Sequence, residues 1–239
     1  MCRCFAADLD WDAIAARFDV DEDDVNPVAL PAPSYNLQPK RTIGIVAEGK
    51  DGKRHLTGAY WSLIPAWSTG KELTYPTYNA RVESACVKPT FAESAKSMRA
   101  IIPASGYYEY HGRRPYYFHA PNDAPLFLAG LFSWWRAPQP QSPAPWLLTA
   151  TILTCQAVDG PAAVHDRMPL LVPRDMAGTW LDRSIDGAVA GASLMTDMQN
   201  GGTELSRNLA FHEVAAFGPE DDGRTLIRPL QQVQPPSLF

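Results

Sequence analysis

MRAIIPASGYYEYHG (98–112), RPYYFHA (114–120), PLFLAGLFSWWR (125–136) and PWLLTATILTC (145–155) follow one another with only short polar or Pro-rich breaks between them. All four are rich in aromatic and branched apolar residues, the composition of strands. The last two are nearly unbroken apolar runs, as expected of strands covered on both faces. Short connections between successive strands call for antiparallel pairing, because a parallel return needs a long crossover. Upstream, RTIGIVAE (41–48) and HLTGAYWSL (55–63) read as two more strands joined through Lys50-Asp51-Gly52-Lys53, and AFHEVAAFG (210–218) as a closing strand. The helical signals lie outside this block. WDAIAARFD (11–19) has apolar residues at helical spacing, the chain turns helical from about Arg81, and FAESAKS (91–97) adds a turn. PRDMAGTWLD (173–182) starts a helix with Pro, and GASLMTDM (191–198) is a weaker one. Four prolines in 26–40 make that stretch an extended loop, and APQPQSPAP (137–145) is a surface loop between strands. The predicted fold is mixed α/β, a single domain over residues 1–230 on mainly antiparallel strands with peripheral helices. The tail 231–239 is expected to be flexible.

The 239 residues, 46% apolar and 20% charged, have the composition of an ordinary globular chain with a sizeable core. No apolar run approaches the ~20 residues of a membrane span, and the acidic start is unlike a secretory leader. The expected location is therefore cytoplasmic, where thiols stay reduced. The formal charge is −5, yet residues 1–24 alone carry −6 and the remaining 215 sum to +1, so a basic groove elsewhere is allowed. Cysteines stand at 2, 4, 86 and 155 with no C-x-x-C pair, and the five histidines have no zinc spacing. Cys86 and Cys155, in apolar surroundings, read as buried thiols. No metal and no cofactor is expected.

The chain begins Met1-Cys2-Arg3-Cys4-Phe5. Removal of Met1 would leave an α-amine and a thiol on adjacent carbons, with reference pKa values of about 8 and about 8.5. Such a 1,2-aminothiol condenses with aldehydes: the amine forms an imine and the thiolate closes a thiazolidine ring. An internal cysteine cannot do this. The plain alternative is a cysteine that merely follows Met1 in an edge strand. Five further islands, YNLQP (35–39), IPAW (64–67), NARVESA (79–85), GYYEY (106–110) and VHDRMP (164–169), are too polar and turn-like for core alone, although any one of them taken singly reads better as a satisfied structural polar group.

In that order, the islands and the MC start resemble the SRAP family (SOS-response-associated peptidase), whose members crosslink to abasic DNA, and the resemblance spans about residues 2–230. It implies that Cys2 is the nucleophile, captures abasic sites in single-stranded DNA and protects the lesion, after loss of Met1 that autoproteolysis would explain. It implies that Asn79 orients the Cys2 amine, that Glu109 moves protons during imine formation, and that His165 assists sugar-ring opening and reversal. Arg81 and Arg167 would pair with phosphates through their guanidinium forks, Asn36 would belong to the same pocket, and Trp67 would stack on a base. The implied protein is a DNA-damage-response monomer, nucleoid-associated when DNA-bound, of a lyase or hydrolase class. One departure stands out. The family's usual Met-Cys-Gly-Arg is replaced by Arg3-Cys4, which removes one phosphate contact. Two rival readings stay open on the residues: a cysteine peptidase or amidohydrolase using Cys2 and His165, and a non-covalent single-stranded DNA binder using Trp67.

Overall fold

The computed structural model describes residues 3–137 and 146–230; Met1 and Cys2, residues 138–145 and the tail 231–239, on which the expectations of a surface loop and a flexible tail fall, lie outside the described residues. In chain order the strands are β1 Phe5–Ala7, β2 Ser34–Leu37, β3 Thr42–Glu48, β4 Arg54–Trp61, β5 Asn79–Arg81, β6 Arg99–Ala104, β7 Gly106–His111, β8 Arg114–His119, β9 Leu126–Arg136, β10 Trp146–Gln156, β11 Arg167–Pro169 and β12 Ala210–Glu213. The helices are α1 Trp11–Arg17, α2 Val82–Ala85, α3 Pro89–Ser97, α4 Asp159–Ala162, α5 Ala177–Leu181 and α6 Ala188–Arg207. The expectation of a mixed α/β domain on mainly antiparallel strands holds.

The central feature is a closed ring. Strand β10 pairs with β4, β4 with β3, β3 with β6, β6 with β9, and β9 returns to β10. Only the β10–β4 pairing in this ring is parallel. Period-2 alternation divides each barrel strand into two faces. The inward set joins Ile43 and Ile45 to Ala59 and Trp61, Ala100 and Ile102, Leu128 and Phe132, and Ala150 and Ile152. The outward set, Val46, Leu56, Ile101, Leu131 and Leu153, packs under Ile14 and Phe18 of α1, Phe91 of α3, Trp180 of α5 and Leu194 of α6. Strands covered on both faces explain the unbroken apolar runs of β9 and β10.

A second, antiparallel sheet runs β12-β8-β7-β1-β2 and lies across one end of the barrel. Its Phe5, Tyr107 and Phe118 belong to the inward barrel cluster, and Phe5 meets Trp61 edge-on at 5.1 Å between ring centroids. The run MRAIIPASGYYEYHG is therefore two strands, not one: Ala104 pairs with Leu126 in the barrel, and two residues later Gly106 pairs with Ala6 in the covering sheet. Three other expectations need correction. A short strand, β2, interrupts the 26–40 loop; the 210–218 strand shortens to β12; and the weak helix at 191–198 is part of the longer 20-residue α6.

Candidate functional site

Glu109 is the centre from which the site can be built. It stands on β7, two residues from the core tyrosine Tyr107 and on the same inward face, and only 3% of it is exposed. β1 pairs with β7 with Phe5 opposite Tyr107 and Ala6 opposite Gly106, and the Tyr108 amide donates to the Cys4 carbonyl at 3.1 Å. The same register, carried one residue further, sets Arg3 opposite Glu109. The start of the chain is thus laid along a strand that carries a buried carboxyl. Burial pushes the Glu109 pKa up to about 7, and the Asp166 carboxylate adds a smaller upward push. At neutral pH this group is close to half protonated, the state in which one residue can both give and take a proton.

Asp166 closes the 157–166 turn beyond β10. That turn is held by backbone bonds from Ala157 N–H to the Asp166 carbonyl (2.9 Å) and from His165 N–H to the Pro161 carbonyl (3.0 Å). Within it, Val164 packs into the same inward cluster as Tyr107. Burial lowers the His165 pKa, favouring the neutral ring. Two groups compete for its Nδ1: the Arg167 amide donates to it at 2.9 Å, while an Asp166 carboxylate oxygen also lies 2.9 Å away. The peptide N–H cannot turn aside, whereas the Asp166 side chain is largely solvated. Nδ1 is therefore the acceptor, and the neutral ring carries its proton on Nε2.

Asn79 opens β5, which adds to the end of β10 in parallel, Asn79 opposite Ile152 and Arg81 opposite Thr154. The register puts Asn79 on the inward face of Ile152, and its neighbour Tyr78 packs into the inward cluster. Across β10, β11 sets Pro169 opposite Thr154 and Arg167 opposite Gln156. Asn79 and His165 therefore approach the covered end of the barrel from its two flanks, and Glu109 from the sheet above. Arg81 is exposed beside them. Trp67 is 60% exposed in the loop between β4 and β5, which is anchored from below by the buried Trp135 donating to the Ser68 carbonyl at 2.8 Å.

Two expected site residues are otherwise engaged. Arg167 does not offer its fork to a phosphate: Nη1 and Nη2 hold the two Glu83 oxygens at 2.7 and 2.9 Å, and Nη2 also donates to the Thr154 carbonyl at 2.6 Å. The pair ties α2 to β10 and β11, and the Arg167 hydrogen bonds hold the Glu83 carboxyl below its usual range. Glu83 is the residue the sequence reading left without a role, although the NARVE motif carried it. Asn36 is the second correction. Its Oδ1 accepts from the Cys4 thiol at 2.8 Å and from Gln38 at 3.1 Å, and its Nδ2 donates to the carbonyls of Gly218 and Asp221. Cys4 faces the side of β1 opposite to Phe5, so Asn36 is a structural clamp on the far face from Glu109. Cys4 itself is buried, and burial raises its pKa strongly, which keeps it a thiol. Cys155 is likewise buried, its pKa pushed up to about 11, while Cys86 is half-buried.

Among the described residues no three His, Cys, Asp or Glu side chains converge as metal ligands, and no helix is long and apolar enough to cross a membrane. What the arrangement offers is a set of organic acid–base groups, Glu109 and His165, at the covered end of the barrel.

A barrel capped by a sheet lays Arg3–Ala7 along a strand that carries a buried glutamate, with His165 and Asn79 on the elements beside it. The chain belongs to the SRAP family, SOS response associated peptidase, which it matches over residues 1–216. It is 31% identical over 188 residues to the abasic site processing protein YoaM of Bacillus subtilis, covering 76% of this chain and 79% of that one. It is 26% identical over 237 residues to the abasic site processing protein YedK of Escherichia coli, covering 96% and 100%. A crystal structure of a protein from Bacteroides thetaiotaomicron shares the fold, with a TM-score of 0.76 at 20% identity over 96% of this chain and 100% of that one.

Proposed function

We propose that this protein processes abasic sites in DNA by capturing them covalently in single-stranded form, through a thiazolidine built on the amine and thiol of Cys2 once Met1 has been removed. The observation that supports this reading most is Glu109, a buried carboxyl with its pKa raised to about 7 in register with Arg3, one peptide bond from Cys2. The named activity of the relatives supplies the substrate class.

The chemistry follows from those groups. Met1 leaves by hydrolysis of the Met1–Cys2 bond, which consumes one water and frees the amine. His165, through Nε2–H, assists opening of the abasic sugar to its aldehyde. The Cys2 amine adds to the aldehyde carbon, Glu109 as the acid protonates the carbinolamine hydroxyl, and water leaves to give the iminium. Glu109 as the carboxylate then takes the thiol proton, and the sulfur closes the ring on the same carbon. One water is lost per crosslink, and no oxidant or reductant is needed. Asn79 orients the amine, Arg81 pairs with a flanking phosphate, and Trp67 offers a face to a base, worth ~1–3 kcal/mol by stacking. Arg167 acts through Glu83, as a positioning residue.

The test is a denaturing gel of protein incubated with single-stranded oligonucleotides with and without an abasic site. A heat-stable band with the abasic strand alone, of mass equal to protein lacking Met1 plus DNA less one water, is the expected result. Crosslinking that survives Cys2→Ala overturns the thiazolidine. Affinity without any crosslink leaves a non-covalent binder instead, and turnover of an added peptide points to a hydrolase. Retention of Met1 in Glu109→Gln, when the wild type loses it, assigns that hydrolysis to the pocket itself.

A further inference from the structure

The barrel is covered at the Trp61 end by the second sheet, and at the other end the described residues leave a mouth. The open mouth holds a cavity of 430 Å³. Its walls continue the inward face: Ile45 and Ala47 on β3, Thr57 on β4, Phe132 and Trp134 on β9, and Leu148 on β10. The space exists because β3 and β4 present small side chains, Ala47 and Thr57, where β9 and β10 present large ones. A five-stranded barrel is otherwise narrow enough for its own side chains to fill. Trp134, on the inward register opposite Leu148, is 48% exposed at this mouth. A large apolar side chain half in water beside an unfilled apolar hollow is the usual sign of a ligand site.

The rim carries both signs of charge, Asp23, Asp24 and Glu48 with Lys50 and Arg183. Asp24 pairs with Lys53 at 3.2 Å and lies 3.4 Å from the His55 ring, and one Glu48 oxygen accepts the Arg183 amide at 3.0 Å. Arg183 is different. Its guanidinium lies over the Phe132 ring, 5.9 Å from the centroid, in the wall of the cavity, and no carboxylate of a described residue pairs with it. A fixed cation above an aromatic wall fits a ligand with an apolar, ring-sized body and a single anionic group.

We propose that this mouth is a binding site for a small aromatic or branched-chain carboxylate, its body between Phe132, Trp134 and Leu148 and its carboxylate on Arg183. The site is at the barrel end opposite to Glu109 and does not rest on the DNA reading.

Calorimetric titration of the full chain with three probes of one shape, 1-naphthoate, 1-naphthalenemethanol and 1-naphthylmethylammonium, tests it. Naphthoate is expected to bind at one site per chain, about tenfold tighter than the alcohol, with the ammonium weakest. Arg183→Gln brings naphthoate to the level of the alcohol and leaves the alcohol unchanged. Ala47→Phe, which fills the hollow, abolishes binding of all three; should that variant fail to fold, Trp134→Ala, at a half-exposed position, weakens all three instead. Tightest binding of the ammonium, several sites per chain, or naphthoate affinity indifferent to both Arg183→Gln and the filling variant overturns the proposal.

Discussion

Glu109 carries the heaviest consequence of any single residue, because its protonation is linked to stability and, under the proposed function, to catalysis as well. Its folded pKa, about 7, lies above the ordinary 4.5, so between those values the folded state binds more protons than the unfolded chain. Stability therefore falls as pH rises through that window, by roughly 3 kcal/mol in all at 1.36 kcal/mol per pKa unit. Glu109→Gln removes the charge without changing shape, so urea midpoints should show the variant more stable than wild type at pH 8 and nearly equal at pH 4. The same variant should slow crosslinking about 10²-fold or more, the usual worth of a positioned proton carrier. A variant that gained no stability at pH 8 would show that the carboxyl is not held in its buried, raised state. Arg167 makes a second case at this scale. With Glu83 holding its fork, Arg167→Lys loses the bidentate geometry but keeps the charge. A residue that served only a phosphate would leave stability unchanged on that exchange; a clamp on Glu83 would not. The expected result is a fall of about 1–3 kcal/mol in stability, an unchanged salt dependence of DNA binding, and a similar stability loss for Glu83→Gln.

Among the elements, β7 shows what a sequence can and cannot announce. Gly106 opens it at the point where the chain leaves the barrel for the covering sheet, and a Cβ there would meet the Tyr117 hydroxyl and come within 2.5 Å of the Phe118 carbonyl. Gly106→Ala should therefore force the β7–β8 pair apart at a cost of about 1–3 kcal/mol, read as a lower urea midpoint with unchanged slope. The strands were legible, since aromatic and branched residues bounded by turns report β structure locally. The division of 98–112 between two sheets was not, because both halves have the same propensity and only tertiary pairing separates them. Helix α6 was half legible for the opposite reason. Its glycines depress helix propensity, yet Gly202 is where the helix backs onto the strand-side backbone, with the Leu170 side chain 2.9 Å from where a Cβ would be. Of the candidate site, the motif order pointed to Asn79, Glu109 and His165, whose elements meet at the capped end of the barrel. It did not separate them from Asn36 and Arg167, polar residues of the same motifs whose hydrogen bonds turn inward. Polar residues at fixed spacing mark a clamp as readily as a site, and only the bonding partners tell them apart.

For the whole molecule, the net charge of −5 is the property most easily misread. Four of the acids lie at one end: Asp21 and Asp24 pair with Lys53 in the β3–β4 turn, Asp19 with Arg54, and Asp23 and Asp24 edge the open mouth. At the opposite end Arg3 and Lys71 line a groove of 380 Å³ with Tyr60 and Tyr75, and Arg81 stands exposed beyond it. The seven residues of β3 set the two ends roughly 20 Å apart at ~3.3 Å per residue, about two Debye lengths at physiological salt. A single strand lying at the groove end would be screened from those four acids and feel the three cations, with Glu72 in the groove paired to Lys40 at 2.6 Å. Each neutralised phosphate of a single strand contributes about −0.7 to the slope of log K against log salt. Non-crosslinking binding, measured with Cys2→Ala protein, should therefore weaken with salt at a slope of roughly −2 despite the negative total. Arg81→Ala should reduce that slope by about 0.7, whereas Arg183→Gln at the far mouth should leave it unchanged. Were the net charge in control, added salt would strengthen binding instead of weakening it, and the two substitutions would act alike.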